Sequence, residues 1–88
     1  MKVEFLAKFG KDLDKVTIPH IKQSVAYVIT EIEKAKTLQD IHNVKKLKGT
    51  KFAYRIRIGD YRLGFYYEHN TVQLSRIVHR KDIYKVFP

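Results

Sequence analysis

Apolar and polar residues change period twice along this chain. Lys2-Val3-Glu4-Phe5-Leu6 alternates, which predicts a short strand with Val3 and Phe5 on one face. Phe9, Leu13 and Val16 then recur at helical spacing and predict a short first helix in spite of Gly10. Ile21, Val25, Val28, Ile29, Ile32 and Ala35 make a longer apolar stripe, with Lys22, Glu31 and Lys34 off it. This predicts a second helix over about residues 18–36, with Thr17 as N-cap and Pro19 tolerated in the first turn. Such a helix is suited to cover one face of a sheet. Residues 37–51 lose the pattern and end in a basic connector, Lys45-Lys46-Leu47-Lys48-Gly49-Thr50-Lys51.

Beyond the connector the period becomes two. Residues 52–58, 61–68 and 71–79 are rich in Tyr, Phe, Ile, Val and Leu, and are separated by Gly59-Asp60 and His69-Asn70. Two-residue breaks of this kind favour tight hairpins whose twist matches the strands, so a three-stranded antiparallel meander is expected. Such hairpins also set the register. Ile58 pairs with Tyr61, placing Arg57 opposite Arg62 and Arg55 opposite Gly64. Glu68 pairs with Thr71, placing Tyr66 opposite Gln73, Gly64 opposite Ser75 and Arg62 opposite Ile77. Alternation then gives a core face of Tyr54, Ile56, Ile58, Tyr61, Leu63, Phe65, Tyr67, Val72, Leu74, Arg76 and Val78, with Arg76 the one misfit. The other face carries Arg55, Arg57, Arg62, Gly64, Tyr66, Gln73, Ser75, Ile77 and His79. Residues 80–88 are expected to form a helical turn or an extended tail. The fold class is α+β: a small antiparallel sheet, made of the N-terminal strand and the meander, with two N-terminal helices packed on one face.

The 88 residues fit one domain, 1–88, with a thin core. No cysteine is present, which excludes disulfides, thiolate catalysis and Cys-based zinc sites. No apolar run is long enough to span a membrane, and Glu4 falls where a signal peptide needs apolar residues, so a cytoplasmic protein is expected. Charge adds more. The net charge is +9, and it is uneven: residues 1–44 carry seven basic and six acidic side chains, residues 45–88 eleven and three. A polyanion or an acidic partner is implied.

A polar outer face on a one-sided sheet is ordinary, and arginine can serve only solubility there. Like charges set directly opposite are nevertheless destabilising, and here Arg57 faces Arg62 with Arg55 close by. Gly64 inside a strand marks a place where another molecule can approach. Three guanidiniums beside a floor without side chains suit a phosphate, whose oxygens match the arginine fork. His79 is expected on this same face. One helical turn over 80–84 would bring Arg80 and Tyr84 to its rim, while Tyr84 and Phe87 could equally serve to pack the tail on the sheet.

Three stretches in this order resemble the RelE/ParE superfamily of toxins from type II toxin–antitoxin systems. They are Leu47-Lys48-Gly49, Tyr54-Arg55-Ile56-Arg57-Ile58-Gly59-Asp60-Tyr61-Arg62-Leu63, and Val78-His79-Arg80-Lys81-Asp82-Ile83-Tyr84. The resemblance spans essentially the whole chain and implies the same sheet-and-two-helix fold. It further implies an endonuclease that cuts mRNA in the ribosomal A site. There the RNA 2′-hydroxyl attacks the adjacent phosphate and leaves a 2′,3′-cyclic phosphate and a 5′-hydroxyl. On the resemblance, Arg62 holds the scissile phosphate and stabilises its growing charge, and Arg55 and Arg57 bind neighbouring phosphates or the transition state. Lys48, Lys51 and Lys81 are further candidates for phosphate binding. Arg80 lies near the leaving oxygen, and Tyr84 orients or deprotonates the 2′-hydroxyl. The implied partners are the ribosome with its mRNA and a cognate antitoxin protein; no cofactor or metal is implied.

Relatives often carry lysine on the first meander strand, where it can act as base; arginine cannot. Tyr84 and His79 remain for that role. Tyrosine ordinarily titrates near ~10 and histidine near ~6.5, which favours a histidine share in proton transfer at neutral pH. The histidines at 20, 42 and 69 fall in a helix first turn, the connector and a hairpin loop, with no metal-ligand spacing among the four. Two other readings fit the composition. One is a ParE-like inhibitor of DNA gyrase, a branch that typically lacks the C-terminal tyrosine. The other is a basic RNA-binding module without chemistry, which explains the charge but not the Arg57–Arg62 pairing.

Overall fold

In the computed structural model, which describes residues 1–88, a five-stranded sheet carries two long helices on one face and a short helix on the other. The strands are β1 (Lys2–Phe5), β2 (Val44–Lys46), β3 (Ala53–Ile58), β4 (Tyr61–Glu68) and β5 (Thr71–His79), in the order β1-β5-β4-β3-β2. The helices are α1 (Ala7–Lys15), α2 (Pro19–Lys34) and α3 (Ile83–Val86), with a 3-10 turn at Leu38–Asp40.

The expected meander forms, and both hairpins use the turn chemistry that their residues favour. His69 and Asn70 both take positive φ (53° and 57°), as a type I′ turn requires, whereas at the first hairpin only Gly59 does (57°). Two additions change the sheet. β1 runs parallel to β5, with Val3 beside Val72 and Phe5 beside Leu74, so the sheet is mixed. Part of the basic connector becomes β2, antiparallel to β3, with Lys45 opposite Arg55. β1 does not alternate cleanly either: Val3 is half-buried, but Phe5 is exposed and touches Phe9 with ring centroids 6.0 Å apart.

The core lies between the helices and the sheet. Phe9 of α1 and Ile21, Val25 and Ile32 of α2 meet Ile56, Ile58, Leu63, Phe65, Val72, Leu74 and Ile77. Residues one helical turn apart on α2 thus share one buried stripe. α2 begins without a side-chain cap: Ile18 holds the N-cap position in place of Thr17, and Pro19, lacking an N–H, reduces the number of donors that need one.

The register of β5 departs from the hairpin expectation halfway along. Glu68 opposite Thr71 and Tyr66 opposite Gln73 hold, but a bulge lies between Phe65, opposite Leu74, and Gly64, opposite Arg76. Ser75 is the extra residue, so Arg62 faces Val78 and not Ile77, and Ile77 turns into the core opposite Leu63. Asp12 of α1 sits at this break. Its buried carboxylate accepts from Arg76 Nε (2.6 Å), Arg76 Nη2 (3.0 Å) and the Ile77 backbone N–H (3.1 Å). β1 ends beside Leu74, leaving this edge of β5 without a strand partner, and Asp12 satisfies the amide there. The misfit Arg76 is thereby explained: its guanidinium pairs with a helix carboxylate on the core side. No helix is long and apolar enough to cross a membrane.

Candidate active site

The first hairpin places Arg57 directly opposite Arg62, and Arg55 opposite Gly64, on the face away from α1 and α2. β2 adds Lys45 beside Arg55 on that face. Arg62 is held at its root, its Nη1 donating to the Gly59 and Tyr61 carbonyls, each at 2.9 Å. The segment after β5 returns to the same hairpin. Arg80 donates its backbone N–H to the Asp60 carbonyl at 2.8 Å, and its Nε lies 3.9 Å from Asp60 Oδ1.

Electrostatics single out Arg62. Its guanidinium is pushed below the ordinary arginine value, first by burial and then by Arg55, Arg57 and Arg80, while Tyr84 opposes the shift. Arg55, Arg57, Arg80 and Tyr84 therefore all lie near enough to Arg62 to act on its charge. A bound phosphate would relieve the repulsion among them. Arg55 adds a buried Nε with no hydrogen-bond partner in the protein.

α3 brings Tyr84 to this point. Residues 80–82 form a turn, so the helix starts at Ile83, later than expected. Ile83 and Phe87 are buried with Leu47 and Ala53 in a second small apolar cluster on the arginine side of the sheet, while Tyr84 stays 64% exposed. With Lys45, Lys46, Lys48 and Phe87, Tyr84 lines a cavity of about 360 Å³. Lys51 and Lys81 are exposed. A larger cavity of about 640 Å³ lies on the α2 side, between His20, Tyr27, Glu31 and His42, and shares only Arg57 with the cluster.

Two expectations are corrected. The bulge turns His79 to the opposite face, where it pairs with Tyr61 and its ring stands edge-on to the Tyr61 ring at 5.8 Å. Its Nδ1 accepts the Lys81 backbone N–H at 3.2 Å. His79 is thus separated by the sheet from the arginine cluster. Gly64 is not an open floor for a ligand either: it is buried beneath the Phe87 ring of the same chain. Lys45 is the residue that sequence reasoning missed, and Phe87, foreseen as packing the tail on the sheet, sits directly over Gly64. The lysine belongs to a strand of only three residues, and the phenylalanine acts through a contact between distant segments.

These features define a small α+β protein whose sheet carries a cationic face beside a tyrosine. No family profile matches the chain. A relative from Methanocaldococcus jannaschii, Toxin RelE3, is 40% identical over the full length of both chains. The crystal structure of a RelB–RelE antitoxin–toxin complex from Methanococcus jannaschii contains a chain 36% identical, with a TM-score of 0.83 over 97% of this chain and 99% of that one. The toxin–antitoxin complex RelBE2 from Mycobacterium tuberculosis contains one 27% identical, with a TM-score of 0.71 over 90% and 96%. The chain belongs to the RelE family of toxins.

Proposed function

We propose that this toxin is a ribosome-dependent endonuclease that cuts mRNA in the ribosomal A site and thereby stops translation. The observation that carries the reading is geometric: Arg57 stands opposite Arg62 with Arg55 opposite Gly64, and the Arg80–Asp60 bond returns the segment bearing Tyr84 to the same hairpin. In the reaction, the 2′-oxygen of one nucleotide attacks the phosphorus of the next phosphate. The bond to the 5′-oxygen breaks, leaving a 2′,3′-cyclic phosphate and a 5′-hydroxyl. Arg62 and Arg57 bind the non-bridging oxygens and stabilise the charge that grows on them, and Arg55 takes a flanking phosphate. Tyr84 orients the 2′-hydroxyl through its phenol oxygen, and the 2′ proton passes to water as the new bond to phosphorus forms. Arg80 stabilises the departing 5′-oxygen, which takes a proton from water. No step is assigned to a metal, and His79 takes no part.

The partner is a cognate antitoxin protein that neutralises the toxin, in keeping with the antitoxin-bound state of the relatives from Methanococcus jannaschii and Mycobacterium tuberculosis. The test is primer extension on an mRNA under translation in a purified system. Cuts inside codons that require ribosomes and disappear with Arg62→Ala are the expected result. Folded wild-type protein that makes no cuts overturns the reading, and gyrase supercoiling and bare RNA binding become the next assays.

A further inference from the structure

Tyr84 is an exposed side chain on a helix of only four residues, too short to hold a geometry unaided. Its placement must come from what anchors α3. One anchor lies before it, where Arg80 donates to the Asp60 carbonyl at 2.8 Å. The other lies after it. Phe87 closes the helix, its N–H bonded to the Ile83 carbonyl at 2.8 Å, and its ring is 2% exposed. That ring lies flat enough on Gly64 that a Cβ at this position would stand 2.7–2.9 Å from three of its carbons. Tyr66 flanks the ring with centroids 5.1 Å apart. Gly64 is opposite Arg55 and two residues from Arg62 on one strand, so the Phe87 seat and the arginine cluster share a rigid base.

We propose that Phe87, seated on Gly64, is a positioning residue for catalysis: it locks α3 onto the sheet and so holds Tyr84 against the phosphate held by Arg62. This rests on the nuclease reading above and adds to it a residue that does not touch substrate. A misplacement of about 1 Å at a reacting group can cost about 10²-fold in rate, so a seat of this kind carries a large lever. Glycine is required at 64 for space. An added methyl would have to push the whole ring off the strand.

The experiment measures single-turnover cleavage by translating ribosomes, with mRNA binding and hydrogen exchange of the 83–87 amides alongside. Phe87→Ala and Gly64→Ala are each expected to lower the cleavage rate by about 10–10²-fold, with ribosome and RNA affinity unchanged and faster exchange confined to α3. Phe87→Leu, which keeps an apolar side chain on the seat, is expected to restore most of the rate. The decisive arm is the pairing with Tyr84→Phe. If Phe87 acts through Tyr84, Phe87→Ala adds little in that background. Full additivity there, or wild-type rates in both Phe87→Ala and Gly64→Ala, overturns the proposal. Should Phe87→Ala fail to fold, Gly64→Ala and Phe87→Leu decide by the same criteria. Failure of the nuclease reading has a different signature: the wild-type protein itself makes no cuts, or Tyr84→Phe and Arg62→Ala cut as well as wild type.

Discussion

Arg62 and His79 end on opposite sides of one sheet, and that separation fixes what each can do. Arg62 lies among Arg55, Arg57 and Arg80, where burial and like charge disfavour its own ionisation. An anion there offsets both effects at once, so the site gains more from binding a doubly coordinated phosphate oxygen than an isolated surface arginine does. Removing such a preorganised group commonly costs about 10²–10³-fold in rate. We expect Arg62→Ala to lose that much in cleavage by translating ribosomes. Arg62→Lys should recover only part of it, because an ammonium cannot span two oxygens as the guanidinium fork does. His79, by contrast, is engaged with the Tyr61 ring and the Lys81 amide. His79→Gln should leave the cleavage rate within about twofold of wild type and leave its pH profile unmoved, since the group lies outside hydrogen-bond reach of the reacting atoms. A lost alkaline or acidic limb in that profile would show a proton-transfer role after all.

Elements near the hairpin turns were legible because the turns themselves dictate pairing. Ile58 opposite Tyr61 and Arg57 opposite Arg62 follow from Gly59-Asp60, and Glu68 opposite Thr71 follows from His69-Asn70. Farther along β5 the expectation failed at the bulge, where the Ile77 amide is taken by Asp12, 65 residues away in sequence and outside the reach of any hairpin rule. The one extra residue of that bulge turns Ile77 into the core and His79 off the arginine face. β2 escaped notice for a related reason: three residues carry no readable period, and they become a strand only because β3 supplies the partner. The Asp12–Arg76 pair can be tested on its own. Arg76 is held above the ordinary arginine value, chiefly by its hydrogen bonds to Asp12, and as an arginine it stays protonated even when the carboxylate is removed. Asp12→Ala leaves that cation and the Ile77 amide without a partner, and we expect a loss of about 3–5 kcal/mol in urea unfolding. Replacing both partners with apolar residues, Asp12→Leu with Arg76→Met, should cost much less. Equal losses in the single and double variants would show that packing and not charge pairing sets the cost.

Across the whole molecule, part of the basic excess of the second half of the sequence is gathered on one side of the sheet, while Arg76 lies on the other. β2, β3, β4 and the segment around α3 contribute Lys45, Arg55, Arg57, Arg62 and Arg80 to it, whereas the basic residues of α1 and α2 alternate with acidic ones. Arg57, Arg62 and Arg80 were readable from sequence as neighbours because a hairpin and a short tail bring them together locally. Lys45 was not, since its place beside Arg55 exists only in the folded sheet. Its position also separates binding from chemistry. Lys45 is exposed at the rim, opposite Arg55 and away from Arg62, where it can neutralise a flanking phosphate without touching the scissile one. For single-stranded RNA each neutralised phosphate contributes about 0.7 to the slope of log affinity against log salt. We therefore expect Lys45→Ala to weaken binding of single-stranded RNA evenly across sequences and to lower the salt slope by about 0.7. Single-turnover cleavage at saturating ribosomes should stay unchanged. Titrations of fluorescent oligonucleotides at several salt concentrations measure the slope directly. An unaltered slope would remove Lys45 from the RNA path and confine binding to the arginines of β3, β4 and the turn before α3.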